Sequence, residues 1–142
     1  MDAGRVQRAR AIGCLRAVVG LGLIIAPRAV ARAQLGTSSA GPLILLLRTV
    51  GIRDLVLGAG TVAASYGAHD AEVRRWIGAG LVSDALDVVA GAASVSAVGT
   101  AGGLTAAALP LPFILCDLWA LGYMRAPGPP ASTPGSTAAR RR

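Results

Sequence analysis

Leu43-Ile-Leu-Leu-Leu-Arg48-Thr-Val-Gly51-Ile-Arg53-Asp54-Leu-Val-Leu-Gly58-Ala-Gly-Thr61-Val-Ala-Ala-Ser65-Tyr66 is an apolar run interrupted by three charges. It matches the roughly 20 residues that a helix needs to cross the hydrocarbon of a bilayer. A membrane barrel strand would instead alternate over about ten residues, and this run is continuously apolar. Within it Gly51, Asp54, Gly58, Thr61 and Ser65 recur at intervals of three and four, which places them on one helix face. Small residues on such a face let a neighbouring helix approach closely.

Three further apolar runs, over residues 11–26, 76–98 and 104–124, have the same character. Each carries its own stripe: Gly13, Arg16 and Gly20 in the first; Gly80, Asp84, Asp87, Gly91 and then Ser94 in the next; Gly103, Ala106, Pro110, Phe113 and Asp117 in the last. The expected fold is all-α, a four-helix transmembrane bundle over residues 1–124 with its seams meeting in the middle. Residues 125–142, rich in Pro, Gly, Ser and Thr and ending in three arginines, read as a disordered cytoplasmic tail.

Composition points the same way. The 142-residue chain is 54% hydrophobic and 15% charged, against about 25% charged in soluble domains. Its net charge of +7 comes from arginine alone, since lysine is absent. These arginines sit at the ends of apolar runs or inside them, with no aromatic platform or zinc spacing beside them, which argues against a nucleic-acid partner. The absence of Lys and Asn together suggests a GC-rich bacterial genome, and therefore a bacterial plasma membrane. The expected surroundings are the lipid bilayer, and beyond it a membrane protein partner or a second copy of the chain.

With the N-terminus inside, Arg5, Arg8, Arg10, Arg74, Arg75, Arg125, Arg140, Arg141 and Arg142 are cytoplasmic, while Arg28 and Arg32 are outside. Tyr66, Trp76, Trp119 and Tyr123 then fall at the cytoplasmic interface, where amphipathic rings prefer to lie. Both termini are expected inside. The N-terminus also has the look of a signal peptide with an Ala31-Arg32-Ala33 site, but Arg16 interrupts its apolar region and Pro27 and Arg28 crowd the site. Ala11-Ile12-Gly13-Cys14 resembles a lipid-attachment box without the apolar stretch that should precede it.

Ionisable groups inside spans are expensive and should pair or face water. At 1.5 Å per residue, Arg53 and Asp87 lie at similar depths, about 20 Å and about 17 Å from the cytoplasmic ends of their spans. They are expected to pair, as is Arg16 with Asp117 or Asp84. Arg48 lies near the outer boundary and can snorkel. Four aspartates against three arginines leave Asp54 or Asp84 as the candidate for a protonated or water-facing carboxylate. A weak repeat with an offset of 38 sets Arg10, Gly13, Gly20 and Gly22 in register with Arg48, Gly51, Gly58 and Gly60, and puts Arg16 where the second copy has Asp54.

Other candidates are weaker. Cys14 and Cys116 fall near the inner ends of their spans and read as packing residues, and His69, Asp70 and Glu72 lack a second histidine for a metal site. No cofactor, metal or catalytic residue is expected, because no activated nucleophile or phosphate-binding loop is present. The expected function is therefore a non-enzymatic structural or accessory membrane subunit, with Arg16, Arg53, Asp54, Asp84, Asp87 and Asp117 as its polar seam. The alternative is a small proton-coupled transporter that binds substrate or proton at the same carboxylates.

The Gly51-Ile-Arg53-Asp54-Leu55-Val56-Leu57-Gly58 segment (G-x-R-D-x-x-x-G), with Arg74-Arg75-Trp76-Ile77 and Asp84-Ala-Leu-Asp87, resembles a group of small, functionally uncharacterised four-helix membrane proteins common in actinobacteria. The resemblance covers about residues 10–125. It implies an integral membrane protein and supplies no substrate or catalytic residue.

Overall fold

The computed structural model describes residues 3–35, 41–67 and 69–125. Among these the helices are α1 (Ala3–Ile25), α2 (Pro27–Leu35), α3 (Gly41–Tyr66), α4 (Asp70–Ala93), α5 (Val95–Val98), α6 (Thr100–Ala108) and α7 (Leu111–Arg125). The molecule is all-helical across the described residues. The expected disordered tail lies outside them, apart from Arg125, which closes α7.

Local chemistry explains where the helices depart from the expected spans. α1 begins well before residue 11, because Gln and Arg are good helix formers and continue the apolar helix outward. It stops at Ile25 because a residue preceding proline is pushed out of the helical region, while Pro27 itself is suited to a first helical turn. The chain bends by 101° there and continues as α2, a helix within what reads from sequence as a plain connection. α4 starts at Asp70, earlier than residue 76, with Asp70 and Glu72 in its first turn where carboxylates complement the helix dipole.

At the far end of α4, Ser94 turns its hydroxyl back onto the Ala90 carbonyl at 2.7 Å. The short α5 then ends at Gly99, whose φ of +81° is a conformation that L side chains rarely adopt. The expected fourth span is divided at Leu109–Pro110, where Pro110 and Pro112 supply no amide hydrogens. Helix geometry resumes at once, with the Ile114 amide donating to the Pro110 carbonyl at 3.1 Å.

Two stretches, Asp70–Ala93 and Thr100–Gly122, are long and apolar enough to cross a membrane, and the bent α1–α2 pair makes a third when taken as one span. α3 is long enough at 26 residues. Its Arg48, Arg53 and Asp54 make it too polar to cross on composition alone, so its place depends on how those charges are met.

The interior is small and polar while the exterior is large and apolar. Of the four largest fully buried side chains, two are carboxylates, Asp84 and Asp117, beside Ile77 and Val73. Val18, Leu45, Leu86, Val89 and Leu115 are all more than 60% exposed. That inversion suits a bundle whose outer face meets lipid rather than water, where helices associate through small residues and polar contacts.

The most extensive contact is between α1 and α3. A Cβ on Gly13 would meet the Gly58 carbonyl, and one on Gly20 would meet that of Gly51, so the helices run antiparallel. The repeat-related glycines thus face one another across the seam: the first of each copy packs on the second of the other. Arg16 and Asp54, matched at the offset of 38, lie at the centre of this arrangement. α4 pairs antiparallel with α6 and α7, with Gly80 facing Asp117 and Gly91 facing Ala106 and Ala107.

One end of the bundle gathers the N-termini of α1 and α4 with the C-termini of α3 and α7. There Arg5 lies 3.7 Å from Asp70, Arg8 stands 5.2 Å from the Trp119 ring centroid, and Arg10 lies 4.0 Å from that of Tyr66. Arg10 also donates through Nε to the Ser65 hydroxyl at 3.0 Å.

Candidate functional site

The stripes on α1, α3, α4 and α7 converge on one charge network. Arg16 sits at its centre, 2% exposed. Its Nη1 donates to Asp54 Oδ1 and Asp84 Oδ1, both at 3.3 Å, and its Nη2 donates to Asp84 Oδ2 at 2.5 Å and to Asp117 Oδ2 at 2.9 Å. One planar guanidinium therefore ties three other helices to α1 and grips Asp84 with both nitrogens. Lysine, a point charge without the fork, cannot make that pattern.

Arg53 forms the outer half. It donates to Asp87 Oδ2 at 2.5 Å, to Asp54 Oδ1 at 3.0 Å and to Asp84 Oδ1 at 3.4 Å. Asp54 and Asp84 each contact both arginines, so the expected separate pairs are parts of one continuous network. Neither Asp54 nor Asp84 faces water, since they are 3% and 1% exposed. The accessible carboxylate is Asp87, with 34% of its side chain exposed beside Arg53 at 26%.

Two residues already placed on the stripes support the network through contacts that their spacing does not show. Phe113 places its ring centroid 4.6 Å from the Arg16 guanidinium carbon, a cation–π contact on a desolvated cation. Its position as the single phenylalanine, deep in the fourth apolar run and one helical turn from Asp117, was the available signal. Gly80 makes the room: a Cβ there would lie 3.0 Å from Asp117 Oδ2 and 3.2 Å from the Arg16 guanidinium. It precedes Asp84 by one turn on the same stripe.

The remaining candidates lie elsewhere. Arg48 is exposed and outside the network. Cys14 is exposed and Cys116 half-buried, both as free thiols. Among the described residues no group of three or more His, Cys, Asp or Glu side chains is placed to hold a metal ion. A shallow cavity of about 370 Å³ is lined by Glu72, Arg75, Trp76 and Ala79, and includes none of the six network residues.

Arg53 and Asp87 are half-buried, so breaking their contact leaves groups that retain access to their surroundings. Arg53→Asp and Asp87→Arg are each expected to destabilise the protein, and the reversed pair to recover about 0.5–3 kcal/mol of the summed loss as coupling energy. Denaturant titration in detergent micelles of the two single variants and the pair reads this directly.

No protein-family model, characterised protein or solved structure matches this chain.

Proposed function

We propose that this chain is a multi-pass protein of the bacterial plasma membrane, a four-helix bundle with both termini cytoplasmic. Its role in this reading is structural or accessory, without catalysis, and its Arg/Asp network fixes how the helices pack. The observation that carries this reading is the enclosure of Arg16, nearly inaccessible and bound to a carboxylate on each of three other helices. A transport site needs a group that can exchange its ligand with water. Arg16, Asp54, Asp84 and Asp117 are each at or below 3% exposure and are bonded within the network. In this reading the network also accounts for the crossing of α3: Arg53 and Asp54 are met by partners inside the bundle, while Arg48 lies near the boundary and can snorkel. The cluster of Arg5, Arg8 and Arg10 with Tyr66 and Trp119 at one end supports a cytoplasmic assignment for that end.

A second reading has one observation behind it. Two guanidiniums face four carboxylates, and Asp87 is partly accessible, which suits a proton-coupled transporter with Asp87 at the entrance. Reconstitution into liposomes separates the two. The packing role predicts no pH-gradient dissipation above that of protein-free vesicles, together with co-purification of a defined membrane partner in mild detergent. Proton flux that Asp87→Asn removes without lowering the amount of folded protein would establish the transporter instead. Reporter fusions within residues 36–40 and after Met124 are expected to report outside and inside respectively. An external signal from the tail overturns the topology.

A further inference from the structure

The 101° bend at Ala26 turns α2 nearly across the axis of α1, at the end of the bundle away from the Arg5–Asp70 contact. α2 has two distinct faces. Pro27 and Ala31, one turn apart, are buried against the bundle, Ala31 to 1% exposure. Arg28 and Arg32, also one turn apart, are both exposed. The antiparallel α1–α3 register brings exposed Arg48 to the level of the same bend. No ion pair to any of these three arginines occurs among the described residues, whose carboxylates lie either in the central network or at the opposite end of the bundle. Beside the bend, Ile25, Leu45 and Leu46 expose 71%, 68% and 58% of their surface. Leu45 and Leu46 lie up to one turn beyond Arg48 along α3, so exposed apolar side chains and unneutralised guanidiniums are interleaved at this end of the bundle.

That juxtaposition fits one kind of partner. Apolar side chains call for acyl chains, and paired guanidiniums one turn apart call for phosphate oxygens in the layer directly above them. We propose that α2 lies along the membrane surface and that Arg28 and Arg32 bind the phosphate of an anionic phospholipid headgroup. This rests on the membrane-spanning reading above. The bend is what makes the site: a straight continuation of α1 would set Arg32 about 6 Å above Arg28 along the bundle axis, whereas the turned helix holds the two near one level. Bound lipid neutralises the two outward arginines and anchors the end of the bundle opposite to the basic N-terminal end.

The test places a bimane probe on α2 through Ala29→Cys in a Cys14→Ala, Cys116→Ala background, reconstituted in nanodiscs. Quenching is measured with acyl-chain spin-labelled phosphatidylglycerol and, separately, with equally labelled phosphatidylcholine. Phosphatidylglycerol is expected to be enriched around the probe by about fivefold, the factor that one arginine contributes near a headgroup. Arg28→Gln with Arg32→Gln should bring the two lipids to equal quenching at unchanged helicity by circular dichroism. Equal quenching in the parent overturns the lipid preference while leaving the membrane reading intact, and a preference surviving the double substitution overturns the assignment to these arginines. Absence of quenching by either lipid overturns the surface placement of α2 and the proposal with it, whereas failure of the protein to enter nanodiscs overturns the membrane reading, so the two failures are distinguishable.

Discussion

Replacing Arg16 by Met is expected to remove most of the folded protein. The substitution leaves Asp54, Asp84 and Asp117, all at or below 3% exposure, with their central cation gone. Stripping one partner from a buried ion pair costs about 3–5 kcal/mol, a large share of the roughly 5–15 kcal/mol that holds a typical domain together. Arg53 cannot substitute, because its contacts reach Asp54, Asp84 and Asp87 but not Asp117. Arg16→Lys keeps the charge and loses the two-nitrogen grip on Asp84, so its loss should be intermediate. Single neutralisations on the other side should be mild. Asp84→Asn leaves Arg16 bound to Asp54 and Asp117, keeps a carbonyl acceptor in place and relieves an excess of carboxylates over guanidiniums. Size-exclusion chromatography after graded heating in detergent should rank Asp84→Asn near the parent, Arg16→Lys lower and Arg16→Met lowest. Similar losses at Arg16 and Asp84 would show that the charge imbalance has no bearing on stability.

Gly58→Ala is expected to produce the next largest loss by a different route. The added Cβ would stand 2.5 Å from the Ala17 amide nitrogen and 2.5 Å from the Gly13 carbonyl oxygen, and both are backbone atoms that no rotamer change can move. α1 must back away from α3 along their most extensive contact, which lengthens the Arg16–Asp54 contact already at 3.3 Å. Overpacking of this kind costs about 1–3 kcal/mol. Gly22→Ala, on the partner helix α1, is the control, since nothing lies within 4 Å of a Cβ at that position. A midpoint shift in denaturant for Gly58→Ala with none for Gly22→Ala would locate the effect in the seam. Equal losses at both positions would show that the seam contact is not their source, since the gain in helix propensity from Gly to Ala has the opposite sign.

Much of this arrangement is legible from residue spacing. Period-3 and period-4 stripes of small and ionisable residues name the inward faces of the four apolar runs, because only those faces can hold charges away from lipid. Depth along each run brings Arg53 level with Asp87 and Arg16 within reach of Asp84 and Asp117, which are the contacts seen. Spacing along single helices does not show that Asp54 and Asp84 are shared, because sharing depends on how four helices are rotated about one another. It also misses α2. Pro27 reads as an end, and a proline that ends one helix equally well starts another. The break at Leu109–Pro110 is marked by its prolines, whereas the positive φ at Gly99 has no such mark in a chain with 19 glycines.

The packing role of the network is tested most directly by compensation. Arg16→Met alone should unfold the bundle. Arg16→Met combined with Asp54→Val, Asp84→Val and Asp117→Val should restore a folded, monodisperse protein, because a buried ion network replaced together by apolar residues of similar volume can be nearly neutral in stability. The measurement is the free energy of unfolding in micelles for the parent, the single variant and the quadruple variant. Recovery of at least half the loss is the expected result. A quadruple variant as unstable as Arg16→Met would contradict unmatched buried charge as the cause of the collapse.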